Sequence, residues 1–105
     1  MTSVQIRDFT NEIARRFLPE RIIMFGSQAN GTSDRDSDVD LLVVMDYDGP
    51  APHKAAEILS SINPDFSVDL LVRKRSELEE RLRLNDFFFR DLVSKGQIMY
   101  EASHA

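Results

Sequence analysis

Residues 26–44 read GSQANGTSDRDSDVDLLVV, and this stretch decides the fold. Gly26-Ser27 opens it, and ten residues later Asp38 and Asp40 precede four apolar residues. The continuously apolar run predicts a buried strand near the centre of a sheet. Because side chains alternate between the two faces of a strand, we expect both carboxylates on the same side, close enough to share a divalent cation.

Helices and strands are predicted to alternate along the rest of the chain, which favours an α/β fold with helices packed on a sheet. An apolar stripe at Val4, Phe9, Ile13 and Phe17 predicts the first helix. Ser76 and Glu79 have the spacing of a capping box and predict the start of another. The predicted helices span residues 3–17, 55–62, 76–84 and 87–94, and the predicted strands span residues 21–25, 38–45, 66–72 and 97–101.

Length and composition limit the possible functions. The 105 residues are expected to form one domain, residues 1–105. The net charge of −5 argues against direct nucleic-acid binding through phosphate attraction. Without cysteine, there are no disulfides, thiolate nucleophiles or thiolate metal ligands. No apolar run approaches the roughly 20 residues that span a bilayer, so we expect no membrane association and a cytoplasmic location.

A third carboxylate, Asp69, lies within the apolar run of residues 66–72. Burying it without a partner or a metal would be costly, so a purely structural role requires it to lie at an exposed strand edge. Magnesium prefers oxygen ligands and usually binds one or two carboxylates plus substrate phosphates. Asp38 and Asp40 could bridge two ions, while Asp69 could complete one ion site and accept the proton of an attacking hydroxyl.

The loop that begins at Gly26-Ser27 has the composition of a phosphate-binding loop. Glycine lets the backbone approach a phosphate closely, and the Ser27 hydroxyl with nearby backbone N–H groups can donate to its oxygens. If a helical turn starts there, its free N–H groups add attraction for an anion. Gly31 is expected to keep the loop tight.

Together, Gly26-Ser27, Asp38-Val39-Asp40 and the later Asp69 resemble the signature of the DNA polymerase β-like nucleotidyltransferase superfamily. The chain's small size, and a similarity that runs from the first helix to the terminal Gly-x-x-x-Tyr-Glu, resemble its minimal nucleotidyltransferase group. This resemblance implies a small mixed β-sheet flanked by helices, the palm fold of that superfamily, in the α/β (α+β) class. It also implies that Gly26 and Ser27 hold a triphosphate, and that Asp38, Asp40 and Asp69 are catalytic and bind metal.

The same resemblance implies transfer of AMP from ATP to a hydroxyl, with Mg²⁺, two ions in all, as cofactor. In many such families the protein is the antitoxin of a type VII-like two-gene system and modifies a tyrosine of a HEPN-domain toxin. Members often carry arginines just after the Gly-Ser pair, where this chain has Gln28 and Asn30. Arg35 is a partial substitute for that charge, although its neighbours are acidic.

Two other functions are compatible with the sequence. The chain could neutralise a toxin by binding alone. One or two of Phe87, Phe88 and Phe89 are expected in the core and the exposed remainder is expected to mark an interface, because three consecutive aromatics on one helix cannot all face one core. It could also be an aminoglycoside nucleotidyltransferase, since an acidic protein suits a cationic substrate. The acceptor, the preferred base and any homo- or hetero-oligomeric state stay open at this point.

Overall fold

A computed structural model describes residues 2–31 and 38–103. Five helices and four strands lie within these ranges, and they follow the predicted alternation. The helices are α1 (Ser3–Phe17), α2 (Ser27–Asn30), α3 (Ala51–Ile62), α4 (Arg75–Arg83) and α5 (Phe87–Lys95). The strands are β1 (Arg21–Phe25), β2 (Val39–Val44), β3 (Val68–Arg73) and β4 (Gln97–Glu101).

The four strands form one mixed sheet in the order β3-β2-β1-β4. β1 is antiparallel to both β2 and β4, whereas β2 and β3 are parallel. A parallel pair needs a crossover connection, and α3 supplies it between β2 and β3. The prediction that the strand after Asp38 is central is confirmed, and so is the mixed sheet flanked by helices.

Apolar side chains cover both faces of the sheet because the central strands are apolar at nearly every position. On one face, the strand residues Ile22, Leu41 and Val43 pack in a cluster with residues of α1 and α3. On the other face, a second cluster joins strand residues to α4 and α5, and it contains Ile23, Leu42, Val44, Leu78, Phe89 and Leu92. The second face also carries the candidate site.

The buried stripe of α1 differs from the predicted one. Phe9 and Ile13 are buried as expected, but Val4 is 61% exposed, and Ile6 takes its place in the core. The reason is geometric: Ile6, Phe9 and Ile13 are separated by three and four residues, which keeps them on one face of a 3.6-residue helix. Val4 lies off this face in the first turn.

Two helix starts were predicted wrongly. The helix after β3 begins at Arg75 with Lys74 as its N-cap, not at Ser76. Its first turn is instead fixed by Glu77, whose carboxylate accepts from the Lys74 backbone N–H at 2.9 Å and from the Tyr47 hydroxyl at 2.8 Å. α3 begins at Ala51, four residues earlier than predicted, since proline is favoured in the first turn and Pro52 lies there.

The remaining helix boundaries agree with the predictions to within one residue. α1 ends at Phe17, before Pro19, and Asn85 separates α4 from α5 in the left-handed conformation, with a φ of 60°. Leu84, predicted to face inward, is 59% exposed because it follows the last residue of α4. Among residues 2–31 and 38–103, no helix is both long enough and apolar enough to cross a membrane.

Candidate active site

The sheet places Asp40 between two informative neighbours. In the register of the strands, Asp40 of β2 pairs with Phe25 of β1 on one side and with Asp69 of β3 on the other. Paired residues of neighbouring strands project from the same face, and the strands lie about 4.8 Å apart. The two carboxylates predicted on separate strands are therefore direct neighbours, on the face covered by α5.

Gly26 packs against this carboxylate from the end of β1. Its φ of 75° and ψ of −154° belong to a backbone region that essentially only glycine adopts. A Cβ atom at this position would overlap the Asp40 Oδ2 atom. Glycine is thus required here for two independent reasons. Ser27 follows at once as the first residue of α2, half-buried.

Negative charge accumulates around Asp40. Burial raises the pKa of Asp40 above its ordinary value, and the negative charges of Asp69 and then Asp38 raise that pKa further. Within the described part of the chain, all the charges that shift the pKa of Asp40 belong to carboxylates. The three aspartates therefore repel one another electrostatically, and a bound cation would relieve this repulsion.

The donor chemistry at this position fits magnesium. No three side chains of His, Asp or Glu in residues 2–31 and 38–103 are already arranged to hold an ion. Magnesium, however, usually takes only one or two carboxylates and completes its octahedron with water and substrate phosphates. Asp40 and Asp69 supply such a pair, and the hard oxygen ligands that magnesium prefers are the ones present.

The structure changes the argument for Asp69. This residue is exposed, and β3 is the edge strand of the sheet next to β2. The cost of burying a carboxylate therefore gives no reason to assign it a function. The reason to assign a function to Asp69 is its position beside Asp40 in the sheet. The sequence suggested that the two carboxylates are neighbours, and the strand pairing specifies how they are placed. Asp38 is also exposed, directly before β2.

A cavity of about 560 Å³ opens over these carboxylates. Gly26, Asp40 and Asp69 form one side of it, and the residues of α5 form the other, including Phe87, Phe88 and Lys95. Its volume lies within the roughly 300–1,000 Å³ typical of small-ligand sites. An apolar wall facing a few convergent charged groups is also typical of such sites.

The sequence predicts that residues 87–89 belong to the core or to a partner interface, but it does not predict that α5 lines the cavity. Phe89 is buried, whereas Phe88 and Phe87 are 49% and 83% exposed. Phe88 packs edge-to-face on Phe25, with ring centroids 5.8 Å apart, so it joins the helix to the strand that ends at the site. The run of three phenylalanines is the available signal, but no spacing rule connects it to Asp40 or Asp69.

Of the loop after Gly26, the structure describes residues up to Gly31, which caps α2 in the left-handed conformation with a φ of 73°. The predicted helical turn at Ser27 is confirmed as α2. Arg35, considered above as a substitute for missing charge, lies outside the described residues. The loop up to Gly31 contains neither lysine nor arginine.

Comparison with known proteins defines the class of protein to which this fold and site belong. Residues 6–98 match the model of the nucleotidyltransferase domain family. The match covers most of the chain and includes β1, the site at the start of β2, β3 and α5. The chain belongs to this family, and it is a nucleotidyltransferase enzyme.

Particular relatives agree with this assignment. A curated protein of Methanocaldococcus jannaschii, named "Putative protein adenylyltransferase MJ0604", is 26% identical over 97 residues, which are 90% of this chain and 94% of the relative. A solved structure described as a "putative nucleotidyltransferase from Sulfolobus solfataricus" is 20% identical, with a TM-score of 0.65 over 93% of this chain and 78% of that one.

Two further solved structures with this fold come from toxin–antitoxin systems. A structure described as a "toxin-antitoxin with AMP-PNP" is 22% identical, with a TM-score of 0.59 over 92% of this chain and 74% of the other. A mutant of the "toxin-antitoxin MntA-HpeT" is 20% identical, with a TM-score of 0.57 over the same shares. At these identities the likeness establishes a shared fold.

Proposed function

We propose that this nucleotidyltransferase transfers AMP from ATP to a hydroxyl group of a partner protein, with Mg²⁺ as cofactor. The acceptor in this proposal is a tyrosine of a HEPN-domain toxin, and the chain acts as the antitoxin of that pair. The observation that carries the proposal is the row Phe25, Asp40 and Asp69 across three strands, beneath a cavity large enough for a nucleotide.

The residues of the site suit the parts of this reaction. Two magnesium ions would be held by Asp38, Asp40 and Asp69. These ions would neutralise charge on the phosphates and on the attacking and leaving oxygens. Gly26 and Ser27 would bind the triphosphate through the backbone and the hydroxyl. Because Asp69 is exposed, a hydroxyl carried by a macromolecule could reach it.

The transfer is a single displacement at phosphorus. The acceptor oxygen forms a bond to the α-phosphorus, the bond from this phosphorus to the pyrophosphate oxygen breaks, and pyrophosphate leaves. Asp69 accepts the proton of the acceptor hydroxyl, which requires hydrogen-bond reach between the two groups. Asp40, which lies between Gly26 and Asp69, would be one of the residues that hold the magnesium, and the ion would supply charge neutralisation at the reacting phosphate.

The choice of adenine, of a protein acceptor and of a toxin partner draws support from the relatives. One is named a protein adenylyltransferase, and structures sharing the fold come from toxin–antitoxin systems, one of them with AMP-PNP. The cavity lies beside exposed aromatic residues of α5, and Phe87 at its rim is 83% exposed. This position suits an acceptor that is presented by another protein.

The test is a transfer assay with ATP labelled at either the α- or the γ-phosphate, the product of the neighbouring gene, and magnesium. We expect the α-label to appear on the partner and the γ-label to be released as pyrophosphate. Asp38→Asn should abolish the transfer, whereas Asp48→Asn, an exposed aspartate in the loop between β2 and α3, should leave it unchanged. Absence of transfer to the partner, with magnesium binding intact, would reject the proposal.

The exposed aromatic rim favours a second candidate, in which the chain neutralises its partner by contact alone. Under this alternative, Asp38→Asn would still protect cells that express the toxin, whereas Phe87→Ser would not. Under the catalytic proposal, Asp38→Asn loses protection because the partner is no longer modified. The two candidates therefore predict opposite outcomes for the same Asp38 variant.

A further inference from the structure

The cavity has an uneven distribution of charge. Asp40, Asp69 and Asp91 line it, and among the described residues that line it Lys95 is the one with a positive charge. The loop from Gly26 to Gly31 contributes no lysine or arginine. Among the described residues that line the cavity, a bound polyphosphate would therefore find its side-chain cation on α5, at Lys95.

Lys95 combines a fixed backbone with a movable side chain. It is the last residue of α5, and the following Gly96 is packed so closely against Leu92 and Ile23 that a Cβ atom would overlap both. This contact holds the end of the helix on the sheet. The Lys95 side chain itself is 68% exposed, and its Nζ atom lies 3.0 Å from the Asp91 Oδ1 atom.

The ion pair with Asp91 has the ordinary i, i+4 spacing of a helix surface. Such exposed pairs contribute little stability. Breaking the pair to contact a phosphate would therefore cost little. A lysine ammonium is a point charge on a flexible stem, so it can move from one anion to another without a backbone change.

From these observations we infer that Lys95 binds the phosphates of the nucleotide, exchanging Asp91 for a phosphate oxygen when the nucleotide enters. This inference rests on the proposed nucleotide site and adds a binding residue from α5. In this arrangement the carboxylates of the sheet would hold magnesium, which would bind the phosphates, while Lys95 contacts the phosphates directly. Asp91 competes with the nucleotide for the ammonium.

Calorimetric titration of the full chain with ATP, ADP and adenosine, in magnesium chloride, tests this. For Lys95→Gln we expect ATP affinity to fall about tenfold, as for the loss of a hydrogen bond between charged groups. Adenosine affinity should not change, because adenosine has no phosphate. Lys95→Arg should restore most of the ATP affinity, and Asp91→Asn should bind ATP at least as tightly as the unmodified protein.

Lys54→Gln is the matched control, because Lys54 also pairs with a carboxylate on its own helix, Glu57, at 3.1 Å, but lies on α3. Its ATP affinity should equal that of the unmodified protein.

The inference is overturned if Lys95→Gln binds ATP normally, or loses ATP and adenosine affinity equally. If ATP binding depends on Lys95 but no AMP transfer occurs, the transfer proposal fails and this inference stands. If AMP transfer occurs but Lys95→Gln binds ATP with normal affinity, the transfer proposal stands and this inference fails.

Discussion

Gly26 is the residue whose geometry constrains the site most tightly. Its backbone conformation is accessible essentially only to glycine, and its α-carbon faces the Asp40 carboxylate with no room for a methyl group. The motif in the sequence identifies this glycine as a place of close approach to a phosphate. The structure adds that the close approach already involves a carboxylate of the protein.

Gly26→Ala should therefore impair both stability and function. Backbone strain alone is expected to cost roughly 1–3 kcal/mol of the free energy of unfolding. The added methyl group must also displace the Asp40 carboxylate, so we expect weaker binding of magnesium and ATP. Urea unfolding measures the first effect, and titration with ATP in magnesium measures the second.

Gly49→Ala separates the two effects. Gly49 also has a positive φ, 77°, but a Cβ atom there would meet nothing within 4 Å. This control should lose about 1 kcal/mol through the backbone alone and keep full ATP binding. Equal ATP affinity in both variants would contradict the claim that Gly26 positions Asp40.

At the scale of single elements, α4 shows why helix starts are hard to predict. The sequence offers a capping-box spacing at Ser76 and Glu79, yet Glu77 fixes the first turn. The hydroxyl of Tyr47, thirty residues earlier, donates to the Glu77 carboxylate, and local sequence cannot reveal that contact. The strands were easier, because a compact apolar run between turn residues predicts a buried strand without knowledge of its partners.

Glu77 should make stability depend on pH. The Lys74 backbone N–H, and next the Tyr47 hydroxyl, lower the pKa of Glu77 below its ordinary value. Ionised Glu77 therefore stabilises the fold above the pKa it has in the unfolded chain, and this contribution is lost as the pH falls through the lower, folded-state pKa. Glu77→Gln should reduce the free energy of unfolding by about 0.5 kcal/mol at pH 7, as for a charge at a helix N-terminus.

Unfolding of Glu77→Gln and the unmodified protein, compared between pH 7 and pH 3, measures this. The difference in stability should shrink as the pH falls. Glu79→Gln is the control on the same helix, since the Glu79 side chain is 68% exposed and forms an exposed ion pair with Arg75, at 3.4 Å. A difference for Glu77→Gln that persists unchanged at pH 3 would contradict the assignment.

For the whole molecule, the site is a product of the sheet order. β1 ends directly before Gly26, β2 and β3 begin near Asp40 and Asp69, and these three ends meet because β1 is antiparallel to β2 while β2 is parallel to β3. The sequence predicted the three aspartates and the glycine from their spacing and from a family resemblance. It could not predict the opposite wall, because the packing of α5 on this face depends on long-range contacts such as that of Phe88 with Phe25.

We propose above all that the cavity over Asp40 binds a nucleotide through magnesium. Calorimetric titration with ATP, with and without magnesium, tests this most directly. The unmodified protein should bind ATP in magnesium and lose most of this affinity in EDTA. Asp40→Asn should bind ATP at least tenfold more weakly. The variant should stay folded, because burial and two neighbouring carboxylates already raise the pKa of Asp40 and disfavour its ionised form. Equal ATP binding by both proteins, or binding that does not depend on magnesium, would contradict the account.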